Sequence, residues 1–429
     1  MKILIKNATI VNANKVFKAS ILIEKEKIVS LAQRIRVKAD KEIDAEGKYV
    51  FPGFIDMHAH FRTPGREDEE DLLSGAQAAV RGGYTTICCM PNTNPAIDNE
   101  ARVKWLIEEA QKDDLIDLFP AGAITKERAG KELTEFTALR RAGAILVTDD
   151  GNALKDLLIL RRALEYSKMA KVLIAEHCEE TALTQKGSLR EGYISSKYGI
   201  GAIPAIAESL IVARDIELAR YLDARIHLMH ISTARSIEII KRAKKDGVRV
   251  SCETCPHYFS LTVDDVEAAQ FSGNFKVNPP LGDKKDIEAV KKALRDGVID
   301  CISTDHAPHS PAEKELPFEE APFGFVGLET AFAISYTNLV KSKIMDLKNL
   351  AQKMSYNPAR ILGLEGRGKI AKNFKADIVI VDLSRAGTIT EATFASKSKN
   401  SPFLGKEFFG VVETTIHNGR IVYSASSNE

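Results

Sequence analysis

The stretch Tyr49-Val-Phe-Pro-Gly-Phe-Ile-Asp-Met-His-Ala-His60 reads as one buried strand that ends on a pair of histidines. Side chains at i and i+2 of a strand leave the same face. His58 and His60 therefore project together from the strand end, spaced to hold one metal ion. An isolated His-x-His is more often a pair of satisfied side chains, so the rest of the chain decides which reading applies.

Working outward, the strand at 53–58 is followed by seven more strand-like runs, near 84–90, 117–123, 144–150, 171–177, 225–231, 249–255 and 299–306. Helical patterns separate them. Pro204 to Leu222 opens with proline, which suits a first turn. Ser236 to Lys245 puts Ile237, Ile240 and Ala243 on one face. Eight strands alternating with helices over about 300 residues predict a (β/α)8 barrel. A doubly wound sheet carries a Gly-rich phosphate turn after its first strand; here Phe61-Arg-Thr-Pro-Gly65 follows instead. The two ends have a different texture, with short β-rich runs such as Ile3-Leu-Ile, Ser20-Ile-Leu-Ile and Asp377-Ile-Val-Ile-Val, and a hairpin signal at Asn418-Gly419. The predicted architecture is α/β: a (β/α)8 TIM barrel over residues 51–366, with a small β-sandwich formed by residues 1–50 and 367–429.

A chain of 429 residues with 44% hydrophobic content can build a core of that size. Lys+Arg 60 against Asp+Glu 59 leaves almost no net charge, so neither nucleic acid nor an anionic membrane is expected as partner. The alternating N-terminus lacks the apolar region of a signal peptide, and no apolar run reaches the roughly 20 residues of a membrane span. A cytoplasmic protein is expected. Cys252-Glu-Thr-Cys255 has no second Cys-x-x-Cys to complete a zinc ribbon, so it reads as core.

Polar residues collect at the C-terminal ends of the barrel strands, where barrel enzymes place their chemistry. The first strand ends in His58 and His60, the fourth in Asp149 and Asp150, the fifth in His177, the sixth in His230 and the eighth in Asp305. Four histidines with two or three carboxylates make a donor set suited to zinc or another divalent transition metal.

The motifs carry a family resemblance. Gly53-Phe-Ile-Asp-Met-His-Ala-His-Phe-Arg62, Met90-Pro-Asn-Thr93, Thr148-Asp-Asp-Gly151, Ala175-Glu-His-Cys178, Met229-His-Ile-Ser-Thr233, Val277-Asn-Pro-Pro280 and Thr304-Asp-His-Ala-Pro-His309 together resemble dihydroorotase, in the cyclic-amidohydrolase branch of the amidohydrolase superfamily. The resemblance runs nearly end to end. It implies reversible, zinc-dependent cyclisation of N-carbamoyl-L-aspartate to L-dihydroorotate, a step of de novo pyrimidine biosynthesis. It further implies two zinc ions: His58, His60 and Asp305 on the first, His177 and His230 on the second, with Asp150 and a hydroxide bridging at roughly 3.5–4 Å. Asp305 would also be the catalytic acid and base. Arg62 would meet the substrate carboxylate with its planar fork, helped by Asn92 and His309 and with His60 also against the substrate. Asn278 and the backbone of Phe323 and Gly324 would read the pyrimidine ring. The charged, proline-rich segment 310–324 would cover the site. The resemblance admits a homo-oligomer or association with aspartate transcarbamoylase.

The sequence also departs from relatives. Hydantoinases and allantoinases bridge their metals with a carboxylated lysine near the end of the fourth strand, and residues 144–150 contain no lysine. Asp150 is the expected bridge, with Asp149 the alternative, because sequence cannot say which way a strand end points. Thr63 stands where an acidic residue is common. His227 is expected to face the helices, His257 to be structural, His306 to point away from Asp305, and His417 to lie far from the site. The alternatives to dihydroorotase are another cyclic amide or ureide hydrolase, or a non-catalytic scaffold.

Overall fold

The computed structural model describes residues 1–425; the last four residues of the 367–429 segment lie outside the described residues. Its central sheet is parallel throughout and runs β1 (Phe54–Ala59), β2 (Tyr84–Cys89), β3 (Asp117–Gly122), β4 (Leu146–Val147), β5 (Leu173–Glu176), β6 (Ile226–Leu228), β7 (Val250–Thr254) and β8 (Cys301–Ile302). The ends of this sheet meet. Ala59 bridges His306 in parallel, His60 N donates to His306 O at 2.8 Å, and Asp305 N donates to His58 O at 3.0 Å. Every residue of β1 and β2 is buried, as strands covered by helices on the outside must be.

Helices pack around the sheet, and several are begun by a polar cap. Asp71 accepts from Ser74 N to start Leu72–Arg81, Asn99 starts Glu100–Gln111, Asp156 starts Leu157–Ala170, and Asp283 starts Lys284–Arg295. The two helices anticipated from sequence are Ile206–Leu222 and Ala234–Lys245, the second opening two residues early because Thr233 caps it through Ser236 N.

The chain ends build a separate sheet. Its hydrogen-bonded order is Arg420–Ser424, Glu407–His417, Ile378–Thr388, Tyr49–Pro52, Lys2–Asn12, Lys15–Glu24 and Lys27–Ala32, with Lys41–Asp44 pairing Lys2–Asn12. Ile3, Ile5, Ile10, Ile21, Ile378, Ile380 and Ile416 form its own core. His417 pairs antiparallel with Arg420 across the Asn418-Gly419 turn, both turn residues having positive φ. Arg367 ties the two parts together, pairing with Asp377 at 2.7 Å and with Asp117 at the start of β3. His417 joins this clamp through Asp377 at 3.2 Å, at the opposite end of the strands from His58. Among the described residues, no helix is long and apolar enough to cross a membrane. All six cysteines are buried and unpaired, with Cys252 and Cys255 in the apolar core.

Two sequence expectations need correction. Residues 49–60 are two strands, not one. Tyr49–Pro52 pairs with Ile378–Thr388 in the terminal sheet, while Phe54–Ala59 pairs with β2 in the barrel. The break falls at Gly53, where a Cβ would lie 2.2 Å from Thr85 Oγ1; only glycine admits that approach. The fourth and eighth strands are also far shorter than 144–150 and 299–306, with two paired residues each. Their functional ends leave the ladder, and Asp305 takes a left-handed φ of 48°.

Phe54 joins β1 to the rest of the core, stacking on Phe332 at 4.9 Å and edge-on to Tyr84 at 5.7 Å. Phe54→Ala is expected to lower the unfolding free energy by about 3–5 kcal/mol in urea titrations. A loss below about 1 kcal/mol would show that the surroundings collapse freely into the gap.

Candidate metal centre and substrate cleft

Barrel closure brings β1 and the end of β8 side by side, and the candidate ligands gather there. His60 Nε2 lies 3.1 Å from Asp305 Oδ1, and His58 Nε2 lies 3.5 Å from the same oxygen. Asp150 faces both strands: Oδ1 is 3.4 Å from His58 Nε2 and 3.8 Å from His177 Nδ1, and Oδ2 is 3.6 Å from His60 Nε2. His177 Nδ1 and His230 Nε2 approach to 2.8 Å. Two ligand groupings result, His58–His60–Asp305 and His58–Asp150–His230, with His177 against the second. Asp149 turns away and accepts from Thr125 N at 3.0 Å. Of the two aspartates, Asp150 is the one among the histidines.

The electrostatics fit a cation. Burial works against charge on His58, yet Asp150 and Asp305 override it and raise its pKa well above the usual histidine value. Burial likewise opposes ionisation of Asp305, but His58 and His60 hold it down to about 2. His230 is pushed to about 3, first by burial and then by His177 and His58. His58 Nε2 and His230 Nδ1 are buried without a hydrogen-bond partner, which is costly unless a ligand occupies them. Imidazole and carboxylate donors with unmet lone pairs suit a divalent transition metal.

Beside this cluster opens a cleft of about 210 Å³, lined by Arg62, Asn92, Asn278, Asp305, His309 and Gly324 among others. Asn92 Oδ1 meets His60 Nδ1 at 2.8 Å, and Asn92 Nδ2 donates to Asp150 at 3.4 Å. Arg62, with φ 57°, donates through Nε to Pro308 O at 3.1 Å and lies 3.2 Å from His309 Nε2. Asn278 Nδ2 donates to Glu179 Oε2 at 2.8 Å, and that carboxylate also holds His177 Nε2 at 2.9 Å. Phe323 O lies 2.7 Å from His309 Nε2. Segment 310–324 reaches this cleft through Phe323 and Gly324, and it is tied down. Its short helix Pro311–Lys314 carries a buried lysine whose Nζ donates to Pro322 O and Gly324 O, both at 2.8 Å. Lys276 donates to Glu319 O at 2.9 Å and sits 4.6 Å over the Phe323 ring.

His306 turns to Glu70 at 3.2 Å, away from the cluster. His257 packs on Tyr258 and Phe325, with ring centroids at 4.1 and 4.9 Å. His227 corrects its expectation: its Nε2 meets Glu253 Oε2 at 3.2 Å inside the barrel, instead of facing the helices. Counting alternation from His230 fails because β6 stops at Leu228 and His230 has φ 34°. Three acids escaped the sequence reading: Glu179, which holds His177 and Asn278, and two more. Glu69 holds Arg62 at 3.0 Å and His309 at 2.8 Å, yet it belongs to the run Glu67-Asp-Glu-Glu-Asp71, which looks like a solvated face. Glu253 holds His58 Nδ1 at 3.1 Å; its signal was a lone acid between two core cysteines.

Gly324, at φ 117°, leaves no room for a side chain: a Cβ would fall 2.6 Å from Ala307 Cβ. Gly324→Ala is expected to cost about 1–3 kcal/mol in thermal unfolding and to loosen substrate binding, because strained φ and contact act together. An unchanged melting temperature and unchanged KM would show that the loop can shift without consequence.

Residues 47–236 match the family model described as dihydro-orotase-like, and residues 205–423 match that of the amidohydrolase family. A dihydroorotase of Caldicellulosiruptor saccharolyticus is 45% identical over 424 residues, covering 98% of each chain. One of Trichlorobacter lovleyi is 43% identical over 427 residues, covering 99% of this chain and all of its own. Among solved structures, the L-hydantoinase of Arthrobacter aurescens superposes with TM-score 0.90 at 24% identity, covering 98% of this chain and 96% of that one. The dihydropyrimidinase of Brevibacillus agri gives 0.88 at 26% identity, with coverage of 99% and 95%.

Proposed function

Because this chain belongs to the dihydroorotase family of amidohydrolases, and is therefore a hydrolase acting on cyclic amides, we propose that it interconverts N-carbamoyl-L-aspartate and L-dihydroorotate using zinc, as a step of pyrimidine biosynthesis. The observation that carries the substrate is Arg62. A guanidinium in the cleft beside the ligand cluster fits a substrate that keeps a free carboxylate. Asp150, where hydantoinases and allantoinases carry a lysine, supports the same choice over those enzymes.

His58, His60, Asp150, His177, His230 and Asp305 are the groups that would hold one or two ions. When bound, such ions supply Lewis acidity and bring the pKa of water toward neutrality. The chain's own residues do the rest. In the hydrolytic direction Asp305, held ionised by His58 and His60, takes a proton from the water that attacks the ring amide carbon. As the C–N bond breaks, it returns that proton to the departing ring nitrogen. Cyclisation runs the same proton transfer in reverse. Arg62, steadied by Glu69 and Pro308, pairs with the substrate carboxylate, and His309 sits beside it. Asn278 and the Phe323–Gly324 backbone meet the ring, and segment 310–324 keeps bulk water out. The reading places the enzyme in the cytoplasm, as a homo-oligomer or beside aspartate transcarbamoylase.

The deciding measurement follows dihydroorotate by absorbance with zinc-reconstituted protein. Interconversion is expected to vanish with chelator and return with zinc; no turnover with zinc bound would move the assignment to another cyclic amide on a substrate panel. Asp305→Ala is expected to lose turnover while the far-UV spectrum is retained, and near-parental activity would remove it as acid and base. Arg62→Ala is expected to raise KM about 10-fold or more, the scale of one charge-assisted contact. An unchanged KM would place the carboxylate elsewhere.

A further inference from the structure

Behind the ligand cluster, inside the closed barrel, lies a buried carboxylate that the proposed reaction does not use. Glu253 on β7 is 1% exposed. Its Oε1 faces His58 Nδ1 at 3.1 Å, its Oε2 faces His227 Nε2 at 3.2 Å, and Ser303 Oγ donates to it. His227 is anchored in turn, its Nδ1 lying 2.8 Å from Ser251 Oγ. Among the described residues, the two imidazoles are the only ion-pair partners of Glu253. A buried carboxylate without a fixed cation is unfavourable, so its place against a candidate metal ligand calls for a reason.

The other three ligand histidines are supported differently. His60 Nδ1 faces the neutral amide oxygen of Asn92 at 2.8 Å. Among the described residues His230 has no carboxylate partner: its Nε2 faces His177 Nδ1 and its Nδ1 has no hydrogen-bond partner. His177 has a carboxylate, Glu179, but it is also committed to Asn278. Only His58 backs onto a carboxylate sealed inside the barrel. His58 also belongs to both ligand groupings, so its orientation bears on both halves of the cluster.

We propose that Glu253, braced by His227 and Ser303, is a positioning residue: it keeps the His58 hydrogen on Nδ1 and so sets how tightly the cluster holds its metal. The proposal rests on the metal-dependent reading above. A carboxylate that accepts the Nδ1 hydrogen leaves the Nε2 lone pair facing Asp150 and Asp305, and makes that nitrogen a stronger donor. The relay runs through three neighbouring elements, His227 on β6, Glu253 on β7 and Ser303 just past β8, and ends on β1.

The test measures zinc affinity of the full-length, metal-stripped protein by competition with a chromophoric chelator, together with the visible spectrum of the cobalt(II) form. E253Q keeps the shape and one oxygen able to accept from His58 Nδ1, but it removes the charge and makes the side facing His227 and Ser303 a donor. It is expected to bind zinc about 10–100-fold more weakly and to shift the cobalt spectrum. H227Q is expected to lose less, and the E253Q/H227Q double variant no more than E253Q alone, because His227 acts through the carboxylate. Parental zinc affinity in E253Q overturns the proposal, and additive losses in the double variant overturn the relay. Should E253Q not accumulate as folded protein, Ser303→Ala, which removes one donor to the carboxylate, is expected to weaken zinc a few-fold, and no change there overturns it. Failure of the unaltered protein to bind zinc would instead overturn the metal-dependent reading, and this inference with it.

Discussion

Asp150 and Asp305 are buried at the barrel mouth among four imidazoles, and that enforced balance of charge is what the site depends on. A carboxylate taken out of water costs several kcal/mol unless charge and hydrogen bonds meet it. Here His58 meets both aspartates, and each holds the other in its ionised form. The arrangement extends outward. Glu253 backs His58, Glu179 backs His177, and Glu69 backs Arg62 and His309. Carboxylates therefore alternate with imidazole and guanidinium groups from the interior to the cleft, and each side chain is held by the next.

The barrel supplies this arrangement by ending its strands early. β4 and β8 pair over two residues and then release the chain, so that Asp150 and Asp305 turn inward instead of continuing the ladder. His230 and Asp305 both adopt left-handed backbone. Such conformations persist only where the surroundings over-determine them. The hydrogen bonds between the ends of β1 and β8 do so for Asp305, whose N–H is fixed on His58 O. The joint with the terminal sheet lies at the other end of the strands, where Arg367, Asp117, Asp377 and His417 meet, so the functional mouth is left open.

Much of the site was legible because its residue types are conspicuous at strand ends. His58 and His60 stand two apart, and Asp150, His177, His230 and Asp305 each close an apolar run. The structure brings these six into one cluster, with Arg62, Asn92, Asn278, His309, Phe323 and Gly324 lining the cleft beside it. Glu253 and Glu69 were not legible as site residues. Glu253 is 195 residues from His58, and the contact exists only once the sheet closes. Glu69 looks like one member of an acidic surface run until the loop after β1 folds back beneath Arg62. His227 was assigned to the wrong face because alternation cannot be counted across a backbone break.

The sequence by itself determined the alternation of strands and helices, the β texture of the two ends, and which residue types crowd the strand ends. These are local properties, set by periodicity and by chemistry that each segment carries with it. Only the tertiary structure decided that residues 49–60 divide at Gly53 between two sheets, that Asp150 and not Asp149 faces the histidines, and which acid stands behind which base. Those outcomes depend on contacts between strands far apart in the chain. Closure of the barrel creates those contacts all at once, and no segment contains them alone.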